Sequence, residues 1–217
     1  VHTLPPDFVG AQIDAVMSDI GADAVKTGML ANAEIIAVVA AKVREHKITN
    51  LVVDPVMIAQ SGAALISGEA VEVMKKELLP LTLLLTPNIP EAEKLSGVEI
   101  KSLEDMEKAA AVLGQSGPRA VLLKGGHMLQ PGTATDVFYY RGRTVRFTDP
   151  RIFTENTHGT GCTLSAAGTA ELAAGGKLER DVGRGRQYLG LALQASFRPG
   201  SGWGRLGHGV KAPWLAE

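Results

Sequence analysis

The stretch ENTHGTGCTLSAAGTAEL, residues 155–172, crowds polar residues and glycines in front of an Ala-rich helix former. Gly159 and Gly161 let a backbone approach a ligand closely. The helix start that follows turns free N–H groups and the positive end of its dipole toward the same place. That suits a phosphate, or the negative charge that develops during phosphoryl transfer. Cys162, the only cysteine, falls in the first turn, where a thiolate is stabilised. The alternative is a tight turn over a small buried cysteine.

Four other places bring polar chemistry to the end of an apolar run. VVDPVM ends in Asp54, a carboxylate that orients a metal-bound water or a donor, or caps a turn. TPNIPEAEKL sets Asn88 three residues before Glu91. That spacing reads equally as a capping box or as oxygen ligands near Mg²⁺ or phosphate. VLLKGGH offers Lys124, Gly125, Gly126 and His127, a cation in a turn beside a nucleotide phosphate or a solvated lysine. VKTGML offers Lys26, Gly28 and Met29, with Met29 equally at home in a core. His2, His46 and His208 read as surface histidines, and the five histidines lack metal-ligand spacing. AAGGKLE lacks the rest of a Walker A loop, and neither G-x-G-x-x-G after a strand nor H-E-x-x-H occurs.

The elements that must position these residues alternate. Residues 5–21 read as a helix with Val9, Ile13, Val16 and Ile20 on one face and Gly21 as its stop. Helices are expected over 32–46, capped by Asn32, and over 67–79, 88–97 and 102–115, the last capped by Ser102. Two more are expected, one after Gly161 and one over 184–197. Strands are expected at 24–28, 51–54, 82–86 and 120–124, and an antiparallel hairpin over 136–148 turns near Gly142. Strands alternating with helices argue for an α/β domain with a largely parallel sheet. The apolar strands argue that helices cover both faces. Ligands in such sheets bind beyond the carboxyl ends of the strands, where the residues above sit.

Composition removes several classes. Residues are 45% hydrophobic and 21% charged, as in ordinary globular domains. A net charge of −1 offers no basic field for nucleic acid. One cysteine excludes an internal disulfide and fits a reducing compartment, hence the cytoplasm. No apolar run approaches the roughly 20 residues that span a bilayer. The chain begins with Val1 rather than Met, so an incomplete N-terminus is expected.

Taken in order, VKTGML, VVDPVMIAQSG, TPNIPEAE, VLLKGGH and NTHGTGCTLSAA resemble the hydroxymethylpyrimidine/phosphomethylpyrimidine kinases of thiamin biosynthesis, within the ribokinase-like superfamily. The resemblance runs from Val1 to about Phe197. It implies a three-layer α/β/α domain over 1–217, a homodimer, and use of ATP and Mg²⁺ to phosphorylate a pyrimidine alcohol and then its monophosphate. By the same resemblance Cys162 stands where the base would, and Gly159, Thr160 and Gly161 form the anion hole. Asn88 and Glu91 hold Mg²⁺, with Asp54 near metal and phosphates. Lys124, Gly125, Gly126, Thr157 and His158 lie by the nucleotide, and Met29 and Val56 line the pyrimidine pocket. Pyridoxal kinases with the same cysteine are the close alternative, and a non-catalytic nucleotide-binding fragment is a third. The family's opening strand and AGSDSGGGAG-like segment are absent from the sequence, and Gln60 replaces a frequent lysine. Half of the substrate pocket is therefore expected outside this chain. The Gly-rich tail, SGWGRLGHG, reads as a loose tail or as a rim of the nucleotide site.

Overall fold

The computed structural model describes residues 2–57, 65–126 and 132–216; Gln60 and His127 lie outside them. Four short strands, β1 (Val25–Thr27), β2 (Leu51–Val53), β3 (Leu84–Leu85) and β4 (Ala120–Leu123), run parallel in chain order. β5 (Thr133–Tyr140) and β6 (Arg143–Pro150) complete the six-stranded sheet as an antiparallel hairpin. Its turn sits at Arg141 and Gly142, both at positive φ (52° and 76°), the geometry of a two-residue hairpin loop that matches strand twist.

The period of two along the strands divides two cores. Leu51, Val53, Leu85, Val121 and Leu123 face one core with α2 (Ala33–Glu45), α3 (Gly68–Val73), α4 (Ile89–Ser96) and α5 (Leu103–Gln115). Val52, Leu84, Ala120, Leu122 and Phe138 face the other, beneath α6 (Thr160–Ala173) and α7 (Leu178–Gln194). This is the expected three-layer α/β/α arrangement with a mostly parallel sheet. Asn32 and Ser102 cap α2 and α5 by accepting the Ile35 and Asp105 N–H groups, as expected. Among the described residues no helix is long and apolar enough to cross a membrane.

Three expectations about helices are corrected. α1 (Pro6–Asp19) buries only the first half of its expected face: Val9 and Ile13 pack on the core, while Val16 and Ile20 are exposed. The helix meets α2 through Gly10, where a Cβ would stand 3.2 Å from Val38, and through an Asp14–Lys42 ion pair at 2.6 Å. The expected helix over 67–79 is α3, then a π-helical turn over Met74–Leu78, then a 3-10 turn over Leu79–Leu81 that carries Pro80. Proline removes the N–H that would continue the α-helical ladder.

The last helix begins at Leu178, six residues before the expected 184. Asp181 and Val182 are buried in its first turns, and Gly185 is a packing residue. A Cβ there would stand 2.9 Å from the Gly168 backbone nitrogen of α6. Gly185→Ala is expected to cost about 1–3 kcal/mol of stability, the range for overpacking a tight contact. Equilibrium urea unfolding checks this; an unchanged midpoint would remove the close-approach explanation.

Candidate active site

The ladder continues past the ends of the parallel strands. Asp54 N–H donates to Thr27 O at 3.0 Å, Thr86 N–H to Val53 O at 2.9 Å, and Lys124 N–H to Pro87 O at 2.8 Å. Residues distant in sequence therefore stand side by side just beyond the carboxyl ends of β2, β3 and β4. Asp54 is the centre of the group and is 1% exposed. Its Oδ1 accepts from Lys124 Nζ at 2.8 Å and from Thr86 Oγ1 at 3.3 Å. Its Oδ2 accepts from Ser165 Oγ at 3.4 Å. Thr86 and Ser165 were not singled out from sequence. Each is an ordinary hydroxyl residue whose role appears only when three elements meet.

The opening stretch joins this group from the other side. Gly159 caps α6 at φ 84°, a backbone that favours glycine. No side chain caps this helix; the Thr160 N–H donates to Thr157 O at 3.4 Å, and the N–H groups of Gly161 and Cys162 follow it in the first turn. A Cβ on Gly161 would stand 3.1 Å from Lys124 Nζ and 3.9 Å from Asp54 Oδ2. The glycine thus lets the helix start come within reach of the ion pair. Cys162, in the same turn, is exposed rather than buried, which removes the small-core-residue alternative. Thr157 and His158 are exposed in the segment leading into α6, and Thr160 and Gly161 are half-buried.

Asn88 and Glu91 realise the capping box. Asn88 Oδ1 accepts the Glu91 N–H at 2.9 Å, and Glu91 Oε2 accepts the Asn88 N–H at 2.8 Å. Glu91 is 3% exposed, and burial pushes its carboxyl above the usual range, opposed by Lys124 and by the Asn88 N–H. Two buried carboxylates, Asp54 and Glu91, share one ammonium, Lys124, so full ionisation leaves an excess negative charge in oxygen ligands. That donor set fits a hard divalent cation.

The elevated carboxyl has a testable consequence. A Glu whose folded pKa exceeds its unfolded value contributes stability below the unfolded value, which is lost as pH rises through the folded one. In chelator-treated buffer Glu91→Gln, which keeps the capping geometry, is expected to melt above the parent at neutral pH. The two are expected to converge below about pH 4.5, the ordinary glutamate value. Thermal scans across pH check it. A variant that melts lower at neutral pH would make the cap, not the buried charge, dominant.

The remaining expected residues spread more widely. Gly125 is buried against β5, where a Cβ would stand 2.0 Å from Thr135 O, and Gly126 is exposed. Met29 follows β1 and is 37% exposed. Val56 follows β2, half-buried, with its N–H donating to Asp54 O at 2.8 Å. The C-terminal loop folds back onto α6: His208 Nε2 lies 2.9 Å from Thr163 Oγ1. His46 is half-buried rather than free on the surface, with Asp14 Oδ1 2.7 Å from its Nε2.

Asp14, Glu45 and His46 gather at the α1–α2 contact, and Lys42 Nζ already supplies a cation there, 2.6 Å from Asp14 and 2.8 Å from Glu45. A cleft of about 1110 Å³ lies at the opposite, amino end of the strands, lined by Asn50, Arg119 and Lys177 among others. None of the residues gathered round Asp54 lines it.

Among curated proteins, the chain is 47% identical over 208 residues to the thiamine biosynthesis bifunctional protein ThiED of Geobacter sulfurreducens, covering 96% of this chain and 42% of that protein. It is 42% identical over 208 residues to the hydroxymethylpyrimidine/phosphomethylpyrimidine kinase of Bacillus subtilis, covering 96% of this chain and 77% of that enzyme. Among solved structures, an ADP complex of Bacillus subtilis pyridoxal kinase superposes with a TM-score of 0.89 at 34% identity, over 99% of this chain and 79% of that one. The phosphomethylpyrimidine kinase of Clostridium difficile superposes at 0.76 with 36% identity, over 87% of this chain and 77% of that one. The match to the family described as phosphomethylpyrimidine kinase extends over residues 1–207 and takes in every strand end gathered round Asp54 and the open start of α6. The chain belongs to the phosphomethylpyrimidine kinase family.

Proposed function

We propose that this chain is a kinase that phosphorylates 4-amino-5-hydroxymethyl-2-methylpyrimidine and then its monophosphate, with ATP as donor. The observation that carries this reading is the meeting of the open α6 start with the buried Lys124–Asp54 pair, seen in the approach of Gly161 to Lys124 Nζ. Phosphoryl transfer asks a protein for alignment and for stabilisation of charge on the transferred group. The α6 N–H groups and Lys124 supply that charge, and Asp54 holds the ammonium in place. Cys162 stands in the same turn to take the proton of the attacking hydroxyl. The family relatives, named for this substrate, support the substrate class.

Mg²⁺ is part of the proposal. Asn88 and Glu91 would hold it, with Asp54 nearby, and it would neutralise phosphate charge in transfer. Thr157, His158 and the Gly125–Gly126 turn border the nucleotide, and Met29 and Val56 border the pyrimidine. The same reading makes residues 1–217 one kinase domain that acts as a cytoplasmic homodimer. The free Cys162 agrees with a reducing compartment. The chain spans 42% of the Geobacter relative and 77% of the Bacillus enzyme.

A coupled ADP-release assay with hydroxymethylpyrimidine and pyridoxal side by side tests the proposal. Faster turnover with the pyrimidine is expected. Preference for pyridoxal would assign the pyridoxal kinase activity named for the structural relatives. ADP binding without turnover of either would leave a nucleotide-binding fragment.

A further inference from the structure

Arg186, on α7, is 10% exposed and reaches across to the β5–β6 hairpin. Its Nε donates to Asp136 Oδ2 at 2.8 Å, and its Nη2 to Phe147 O at 3.2 Å. Nη2 also lies 2.8 Å from Asp149 Oδ2, and the guanidinium sits 5.0 Å from the Phe147 ring centre. These contacts hold the planar group in one orientation. The second oxygen of Asp136 is used differently: Oδ1 accepts the N–H of Gly125 at 2.8 Å. Gly125 follows Lys124 and has no room for a side chain.

We propose that Arg186 is a positioning residue for the nucleotide side of the site. Through Asp136 it fixes the peptide after Lys124 and so determines where the Lys124 ammonium stands. The proposal rests on the reading of Lys124 as a phosphate-side cation. Lys124 is held at three points: its own N–H on Pro87 O, the following N–H on Asp136, and its Nζ on Asp54. The first two orient the main chain on either side of its Cα, and only the second depends on a distant charge. Without Arg186, Asp136 loses the partner that holds Oδ1 toward Gly125. Nothing comparable arises from the Arg146 pairs with Glu104 and Glu107, which join β6 to α5 on the surface.

The test compares Arg186→Gln, Arg186→Lys and Arg184→Gln in the chain as it stands. Arg184, on α7 like Arg186, pairs with Glu171 of α6 and serves as the purely structural control. Two quantities are read: the amide exchange rate of Gly125 by NMR, and the dissociation constant for ADP by calorimetry. Arg186→Gln is expected to speed Gly125 exchange and to weaken ADP about tenfold, the usual scale for an outer partner of a site. Arg186→Lys is expected to recover part of both. Arg184→Gln is expected to lower the melting temperature and leave both unchanged. Unchanged Gly125 exchange in Arg186→Gln overturns the relay, and faster exchange with unchanged ADP affinity overturns its effect on Lys124. If the parent chain takes up no ADP while Gly125 exchange responds, the nucleotide reading fails and the relay stands.

Discussion

Cys162→Ala is expected to lower turnover roughly 100- to 10,000-fold, the range for losing a positioned general base, while ADP affinity stays at the parent value. The expectation comes from placement. Cys162 is exposed in the first turn of α6, one residue after the glycine that approaches Lys124. A side chain there is exposed and supports no core, so under the proposed role truncation removes the base and little packing. Cys162→Ser separates the roles further, since a hydroxyl keeps the size but is a poor base at neutral pH. The measurement is kcat with saturating ATP beside calorimetric ADP affinity. Parent-level turnover in the alanine variant would remove Cys162 from the chemistry. Weakened ADP binding would move it to the nucleotide site.

Lys124→Met is expected to abolish nucleotide binding and also to destabilise the fold. Its side chain is 13% exposed and that of Asp54 is 2% exposed, so the variant leaves a buried carboxylate with two hydroxyls and no cation. Removing one partner of a buried pair costs about 3–5 kcal/mol. At roughly 2–4 °C per kcal/mol for a chain of this size, the melting temperature should fall by about 6–20 °C. Most of that loss is the unpaired charge. Adding Asp54→Asn, whose amide can still accept from Thr86, is expected to restore stability and not binding. If the double variant is as unstable as the single one, the lysine stem rather than the pairing supports the strand ends.

Both effects converge on the same few atoms, and the sequence showed them unequally. Asp54, Lys124 and Cys162 were legible because each follows a recognisable local pattern: a charge at the end of an apolar run, or a glycine turn opening a helix. Asn88 and Glu91 were ambiguous for a physical reason. The spacing that makes a capping box is the spacing that places two polar side chains at a strand end. The structure shows that Asn88 forms the cap. It also shows that Glu91 is both a cap and a buried carboxylate beside Lys124. Val16 and Ile20 kept their periodicity without finding a core, because helical period says which residues share a face and not what lies opposite. Gly185 lies inside the expected helix, and only its contact with Gly168 shows why a glycine stands there.

The alternation of elements, their caps, the hairpin turn and the polar strand ends belong to the sequence alone. They depend on interactions between residues a few positions apart, and on periods of two and 3.6 that any window of chain displays. The partnership of Asp54 with Lys124, 70 residues away, and with Ser165, 111 residues away, was decided by the tertiary structure. So were the burial of Glu91 and the path from Arg186 through Asp136 to Gly125. Which charges meet depends on strand order, register and the depth of burial, and these exist only once the two cores have closed on the sheet. The GTGC stretch suggested an anion site by its local form, and the fold set the Lys124 ammonium and the Asp54 carboxylate beside Gly161.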